Sequence, residues 1–159
     1  MDSKARSRIE ALLDAQSFVE IGALVKSRST DFLQGAEKAA SDGVICGYGS
    51  ISGKPVYIYA QNRDVLSGSV GEMHGRKIAH LYDMAMKMGA PVVELLDSSG
   101  IRLEEATDAL YALSKLYKKK AQAKGLIPLY SVLYGQAGGG MALLASLSDF
   151  CFMENQEGR

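Results

Sequence analysis

Val92-Val93-Glu94-Leu95-Leu96-Asp97-Ser98-Ser99-Gly100-Ile101-Arg102 is the stretch on which the fold turns. Its first five residues, four of them apolar around Glu94, read as a buried strand. It then breaks into Asp97-Ser98-Ser99-Gly100, a turn composition. Just ahead, Gly89 and Pro91 end a helix that starts near Gly71, whose apolar positions Ile78, Leu81, Ala85 and Met88 recur at spacings near three and four. Just behind, Leu103, Ala106, Leu110, Leu113 and Tyr117 predict a second helix with those residues on its buried face. Its tail Lys118-Lys119-Lys120 suits a solvated C-terminal end, where cations favour the helix dipole, and Gly125 stops it. The unit then recurs. An apolar strand over 127–134 opens into Gly135-Gln136-Ala137-Gly138-Gly139-Gly140, a helix follows over 141–147, and a last strand covers 150–153. Strands alternating with helices imply an α/β class with parallel pairing and right-handed crossovers.

Upstream the pattern changes. Val44, Ile45, Tyr48 and Ile51, then Val56-Tyr57-Ile58-Tyr59, flank Ser52-Gly53 and read as a hairpin. Residues 8–13 read as a short helix, 17–21 as a mixed segment, 23–41 as loop with at most one helical turn, and 63–70 as a loop containing Ser67-Gly68-Ser69. The 159 residues suit one domain, 1–159, with a sizeable core. Eighteen basic residues balance eighteen acidic ones, so no overall field favours nucleic acid, and the near-zero charge favours association into a homo-oligomer. Cys46 and Cys151 sit in apolar stretches without a CxxC pattern and read as reduced, buried thiols. His74 and His80 are six apart, the wrong spacing for a zinc helix, so no metal is expected. The first residues lead into an amphipathic stretch and no run approaches the ~18 apolar residues of a membrane span, which makes a cytoplasmic location the expectation.

Two strand-to-helix junctions carry unusual loops, Asp97 to Arg102 and Gly138-Gly139-Gly140. In open α/β sheets ligands bind at the carboxyl ends of strands, where a helix start offers unpaired N–H groups. Consecutive glycines let the backbone approach a ligand closely. Two such junctions on neighbouring strands can aim N–H donors at one point as an oxyanion hole, which needs no charged side chain. A tight turn or a close-packing device remains the open alternative for each loop. The glycine run is not G-x-G-x-x-G, Ser98 and Ser99 lack a G-x-S-x-G elbow, and Glu104 and Glu105 suit a helix start. Arg102 either binds a ligand phosphate or carboxylate, or pairs with Asp97.

A family likeness runs through these segments. It begins at 8–22 (Arg-Ile-Glu-Ala-Leu-Leu-Asp-Ala-Gln-Ser-Phe-Val-Glu-Ile-Gly) and continues at 42–49 (Asp-Gly-Val-Ile-Cys-Gly-Tyr-Gly) and 68–74 (Gly-Ser-Val-Gly-Glu-Met-His). It resumes at Gly89-Ala-Pro-Val92, at the Asp97 to Arg102 loop, and at the triple glycine before Ser148-Asp-Phe150. Together, in this order, they resemble the carboxyltransferase subunit of biotin-dependent acyl-CoA carboxylases and decarboxylases. That group includes propionyl-CoA carboxylase and methylmalonyl-CoA decarboxylase.

The resemblance implies a crotonase-like (ClpP/crotonase) spiral of repeated ββα units. It implies that Ser99, Gly100 and Ile101, with Gly139 and Gly140, line the acyl-CoA pocket and supply main-chain oxyanion donors. Gly68, Ser69, Arg102 and Gly138 then lie where coenzyme A approaches. The implied chemistry moves CO₂ between carboxybiotin and the α-carbon of a short acyl-CoA. Biotin would ride on a biotin carboxyl carrier protein, and a C-terminal carboxyltransferase domain would complete the site. Ser99 stands where the family usually has a second glycine, and Ile101 where it has a small residue. If position 99 needs a positive φ, serine adds strain there. Two other readings stay open: a malonate decarboxylase β-type subunit acting on a carrier-bound acyl group, and a non-catalytic assembly domain, for which Ser99 is the supporting feature.

Overall fold

A computed structural model describes residues 3–28 and 41–154, so most of the loop expected over 23–41 lies outside the described residues. The chain runs α1 (Lys4–Leu12), β1 (Val19–Ile21), β2 (Val44–Ile51), β3 (Lys54–Gln61), α2 (Glu72–Met88), β4 (Val92–Ser98), α3 (Ala106–Ala123), β5 (Leu129–Ala137), α4 (Gly140–Ser146) and β6 (Phe150–Met153). Two 3₁₀ turns, Leu66–Gly68 and Leu103–Glu105, precede α2 and α3.

The six strands form one sheet in strict chain order. β1, β2 and β3 pair antiparallel, and β3 to β6 pair parallel. The hairpin closes at Ile51 and Lys54, with Ser52 and Gly53 at φ 51° and 74°, the mirror-image turn whose twist matches its strands. Asp14 takes the N–H groups of both turn residues (2.9 and 2.8 Å), and these bonds lower its pKa.

Leu95 and Leu96 are both buried because successive side chains on β4 point to opposite faces and both faces are covered. On one face α2, α3 and α4 lay Ile78, Leu81, Leu116 and Leu144 over Tyr59, Val92, Leu96 and Leu129. On the other, α1 sets Ala5, Ile9 and Leu13, spaced by four, over Val56, Ile58 and Leu95. Each such aliphatic side chain contributes roughly 1.5–3 kcal/mol by leaving water. The element order, the hairpin, and the stops at Gly71 and Gly89 agree with the sequence; Gly89 ends α2 in the left-handed conformation.

Several expectations need correction. The first helix starts a turn earlier, at Lys4, and the mixed segment over 17–21 contains β1. The buried face of α3 is Ala109, Ala112, Leu113, Leu116, Lys120 and Ala123, whereas Leu103 (83% exposed), Ala106 and Leu110 (57% exposed) face outward. Leu113 is buried as expected, but the covered face is turned around α3 toward Ala109, Ala112 and Leu116, the side that packs into the core, while only Leu103 is set apart by the 3₁₀ turn. Lys120 is fully buried, not a solvated end: it meets Glu94 on β4 at 2.5 Å. Tyr82 and Ser131 also donate to that carboxylate. Cys46 is buried as expected, but Cys151 is exposed on the edge strand β6.

Candidate functional site

The ends of β3, β4 and β5 bring three loops together. Gly68 packs directly on β4, because a Cβ there would overlap the Asp97 carbonyl oxygen. Ser99 N–H then donates to Ser67 O (3.1 Å), Val70 N–H to Gly100 O (2.8 Å), and Arg102 N–H to Val70 O (2.9 Å). The 66–70 and 98–102 segments are thus stitched as a short parallel bridge at Val70 and Ile101. On the other side Gly138 N–H donates to Ser98 O (3.0 Å), and a Cβ on Gly138 would overlap the Ser99 carbonyl. A Cβ on Gly100 would stand 3.2 Å from Gly138 O. Only glycines allow this backbone-to-backbone approach.

Bonding within the loops leaves some donors over. Among the described residues, the N–H groups of Ile101 and Gly139 find no acceptor, and Gly140, opening α4, has none within its helix. Tyr117 on α3 donates to Gly140 O (2.5 Å) and so fixes the start of α4. A groove of about 440 Å³ is lined by Leu66, Ser67, Ser69, Ser99, Ile101 and Leu103 among others. Ser69, Ser99 and Ile101 therefore share one groove. Gly139 and Gly140 do not line it, and reach it only through the Gly100–Gly138 contact.

Ser99 is absent from the residues with positive φ, so the strain expected there does not arise. In the site loops the residues with positive φ are Leu66, Ser67 and Gly68, at 48°, 54° and 64°, together with Gly100 and Gly139, at 113° and 52°. Arg102 also departs from expectation. Its side chain is almost fully buried at the edge of the groove, and it pairs with Glu105, not with Asp97. Its guanidinium binds Glu105 (2.8 Å), Ser69 Oγ (3.2 Å), Ser69 O (2.7 Å) and Asp42 O (3.0 Å). Asp97 turns the other way, to Arg8 (3.0 Å) and Arg63 (3.5 Å), beside a polar cavity of about 420 Å³ under α1.

Behind the groove lies a buried polar cluster. Lys77 Nζ donates to Asp42 Oδ1 (3.1 Å) and Val44 O (2.7 Å). Burial raises the Asp42 pKa against the pull of Lys77. Burial, with the Arg102 guanidinium nearby, pushes His74 down to about 3, so its imidazole is neutral. Nδ1 then donates to Asp42 O (3.1 Å) while Nε2 accepts from Gln61 (3.3 Å), which fixes the tautomer. Gln61 in turn accepts the Asp97 N–H (3.2 Å). His74 is a satisfied structural histidine and His80 an exposed one. Glu105, Asp42 and Tyr117 escape a sequence reading. Only the three-residue spacing of Arg102 and Glu105 hints at their pairing.

The carboxyl transferase domain model matches residues 3–159. The chain belongs to the carboxyl transferase domain family. This carboxyl transferase domain is 41% identical over 149 residues to the propionyl-CoA carboxylase beta chain of Roseobacter denitrificans, covering 94% of this chain and 29% of that one. It is 44% identical to the methylmalonyl-CoA decarboxylase alpha subunit of Veillonella parvula over the same shares. Its structure resembles transcarboxylase 12S with methylmalonyl-coenzyme A and methylmalonic acid bound, at TM-score 0.89 and 34% identity, covering 94% of this chain and 29% of that chain. It also resembles a Pseudomonas malonate decarboxylase hetero-tetramer in complex with malonate, at TM-score 0.86 and 32% identity, covering 96% of this chain and 59% of that one. The fold is the crotonase-like one of carboxyltransferase domains. The chain spans about 29% of the length of these curated relatives.

Proposed function

We propose that the chain forms the acyl-CoA-binding half of a biotin-dependent carboxyltransferase. One observation carries this reading: the Ser99–Gly100–Ile101 loop is locked between the 66–70 loop and Gly138, leaving the Ile101 N–H unpaired beside an open groove. A short acyl thioester lying in that groove places its carbonyl oxygen within reach of backbone donors. As the enolate forms, negative charge gathers on that oxygen, and donors already in position stabilise it without reorganising. In this reading Ser69 lies along the pantetheine side, and Gly139 and Gly140 stand behind the 99–101 loop, next to the Gly138 that packs against it. Ile101 and Leu103 give the groove an apolar wall suited to a short acyl group.

A second carboxyltransferase domain and a biotin carrier would hold the carboxybiotin that supplies or accepts CO₂ at the α-carbon. The assembly-only alternative takes Ser99 as its support, but Ser99 does not adopt a positive φ, so the serine imposes no left-handed strain on the loop.

Calorimetric titration of the folded chain with propionyl-CoA tests the reading, with free coenzyme A, biotin and an acylated carrier protein as controls. Binding of propionyl-CoA without biotin is the expected result. A folded chain that binds no coenzyme A species would refute it, and binding of the carrier-bound acyl group alone would favour a malonate decarboxylase-type subunit.

A further inference from the structure

Arg102 borders the groove with almost none of its surface exposed, and its side-chain bonds run to Ser69 in the groove wall, to Glu105 and to the Asp42 carbonyl behind it. Nε donates to Ser69 Oγ (3.2 Å), and that hydroxyl donates onward to Leu66 O (2.6 Å). Nη2 reaches Ser69 O (2.7 Å) and Asp42 O (3.0 Å), and Nη1 pairs with Glu105 (2.8 Å). The second oxygen of Glu105 accepts the Glu72 N–H (2.5 Å) and so ties the pair to the start of α2. Gly71 leaves room for this: a Cβ there would overlap both Glu105 Oε1 and Arg102 Nη1.

The turn that Arg102 grips is unusual. Leu66, Ser67 and Gly68 are consecutive left-handed residues, and two of them carry side chains. A left-handed residue with a Cβ costs roughly 1–2 kcal/mol, so such a turn persists only where its surroundings over-determine it. The turn also has a task, since Ser67 O accepts the Ser99 N–H and Val70 aligns with Ile101.

We propose that Arg102 is a positioning residue. Through Ser69 it latches the left-handed turn Leu66–Gly68 against the 99–101 loop and so sets the direction of the free Ile101 N–H and the shape of the acyl groove. The latch stands on geometry alone; only its link to acyl-CoA rests on the function proposed above. Lysine cannot replace it. The planar guanidinium serves Ser69, Asp42 and Glu105 in different directions at once, whereas an ammonium is a single point charge. Asp42, Glu105 and Ser69 are all buried, so a bond lost there leaves a buried acceptor without its partner.

The test is native-state hydrogen exchange on the 159-residue chain in Arg102→Lys, Ser69→Ala and the double variant. The reporters are the amides of Val70, Ser99 and Arg102, which donate across the two loops. Leu95 and Val132, in the central strands β4 and β5, serve as controls. The latch predicts reporter exchange at least about tenfold faster in Arg102→Lys with the controls unchanged. It predicts a smaller rise in Ser69→Ala, and a double variant no worse than Arg102→Lys, since both act through one relay. The affinity for propionyl-CoA falls alongside by about tenfold or more.

Reporters that speed up only in step with the controls would show a pair that merely adds global stability, and unchanged reporters would equally overturn the proposal. If Arg102→Lys does not fold, Ser69→Ala decides by the same readout. Loosened loops with unaltered propionyl-CoA affinity, or a wild type with none, leave the latch standing and refute the placement of the acyl group instead.

Discussion

Replacing Glu94 by glutamine isolates the charge of the buried Lys120 pair. Both side chains are wholly inaccessible, and the carboxylate receives Lys120 Nζ at 2.5 Å together with the Tyr82 and Ser131 hydroxyls. Glutamine keeps the shape and an acceptor oxygen but removes the countercharge. Burial already lowers the Lys120 pKa from its ordinary 10.5, and Glu94 is what raises it back. Without Glu94 the ammonium must either stay charged and unpaired or give up its proton. The second route caps the cost. At about 1.36 kcal/mol per pH unit below 10.5, neutralising Lys120 costs about 4.8 kcal/mol at pH 7 and about 2 kcal/mol at pH 9. The pH 7 figure agrees with the ~3–5 kcal/mol typical of breaking one side of a buried pair.

The sign follows from proton counting. Between the depressed folded value and 10.5 the unfolded chain holds more protons, so the variant regains stability as pH rises. Against a domain stability of about 5–15 kcal/mol, the variant remains folded but marginal at neutral pH. Urea unfolding at pH 7 and pH 9, with unchanged m-values, reads the difference. A cost below about 1 kcal/mol at pH 7, or the same cost at both pH values, would refute the claim that Lys120 is charged and dependent on Glu94.

Ala106 sits at φ 45°, ψ −119°, a glycine-favoured conformation. Ala106→Gly should relieve roughly 1–3 kcal/mol of strain, give back about 0.4–1 kcal/mol in unfolded-state entropy, and raise the melting temperature by about 2–6 °C; a lower melting temperature would contradict this. Gly138→Ala drives a Cβ into the Ser99 carbonyl, so it should destabilise by roughly 1–3 kcal/mol and abolish propionyl-CoA binding in the titration. A disulfide reagent should modify Cys151 alone in the native chain, because Cys46 is buried and its thiol is pushed up to about 12. Two thiols reacting before urea unfolds the chain would show that Cys46 is reachable.

The linear sequence determined the features that depend on neighbours along the chain. The hairpin at Ser52-Gly53, the αL stop at Gly89, the apolar strand over β4 and the order of elements all follow from local turn chemistry and periodicity. The family likeness likewise rested on ordered local segments. The Asp97 to Arg102 loop stood out because loops at strand ends mark sites in α/β sheets, whereas Ser69 entered only through the family resemblance; the fold brings Ser69, Ser99 and Ile101 to one groove.

What stayed hidden depends on residues distant in sequence. Lys120 looked solvated within its run of lysines, and only the packing of α3 over β4 sets it on Glu94, 26 residues away. The face of α3 was partly misread because the packing of the helix into the core, and not the spacing of its apolar residues, decides that Leu116 is covered and Leu110 is not. Arg102 has the chemistry of a phosphate ligand. Its role is decided by burial, through Ser69 and Asp42, 33 and 60 residues upstream. A side chain's chemistry is written in the sequence, but whether it faces water, a ligand or a buried carboxylate is set by which elements pack against it.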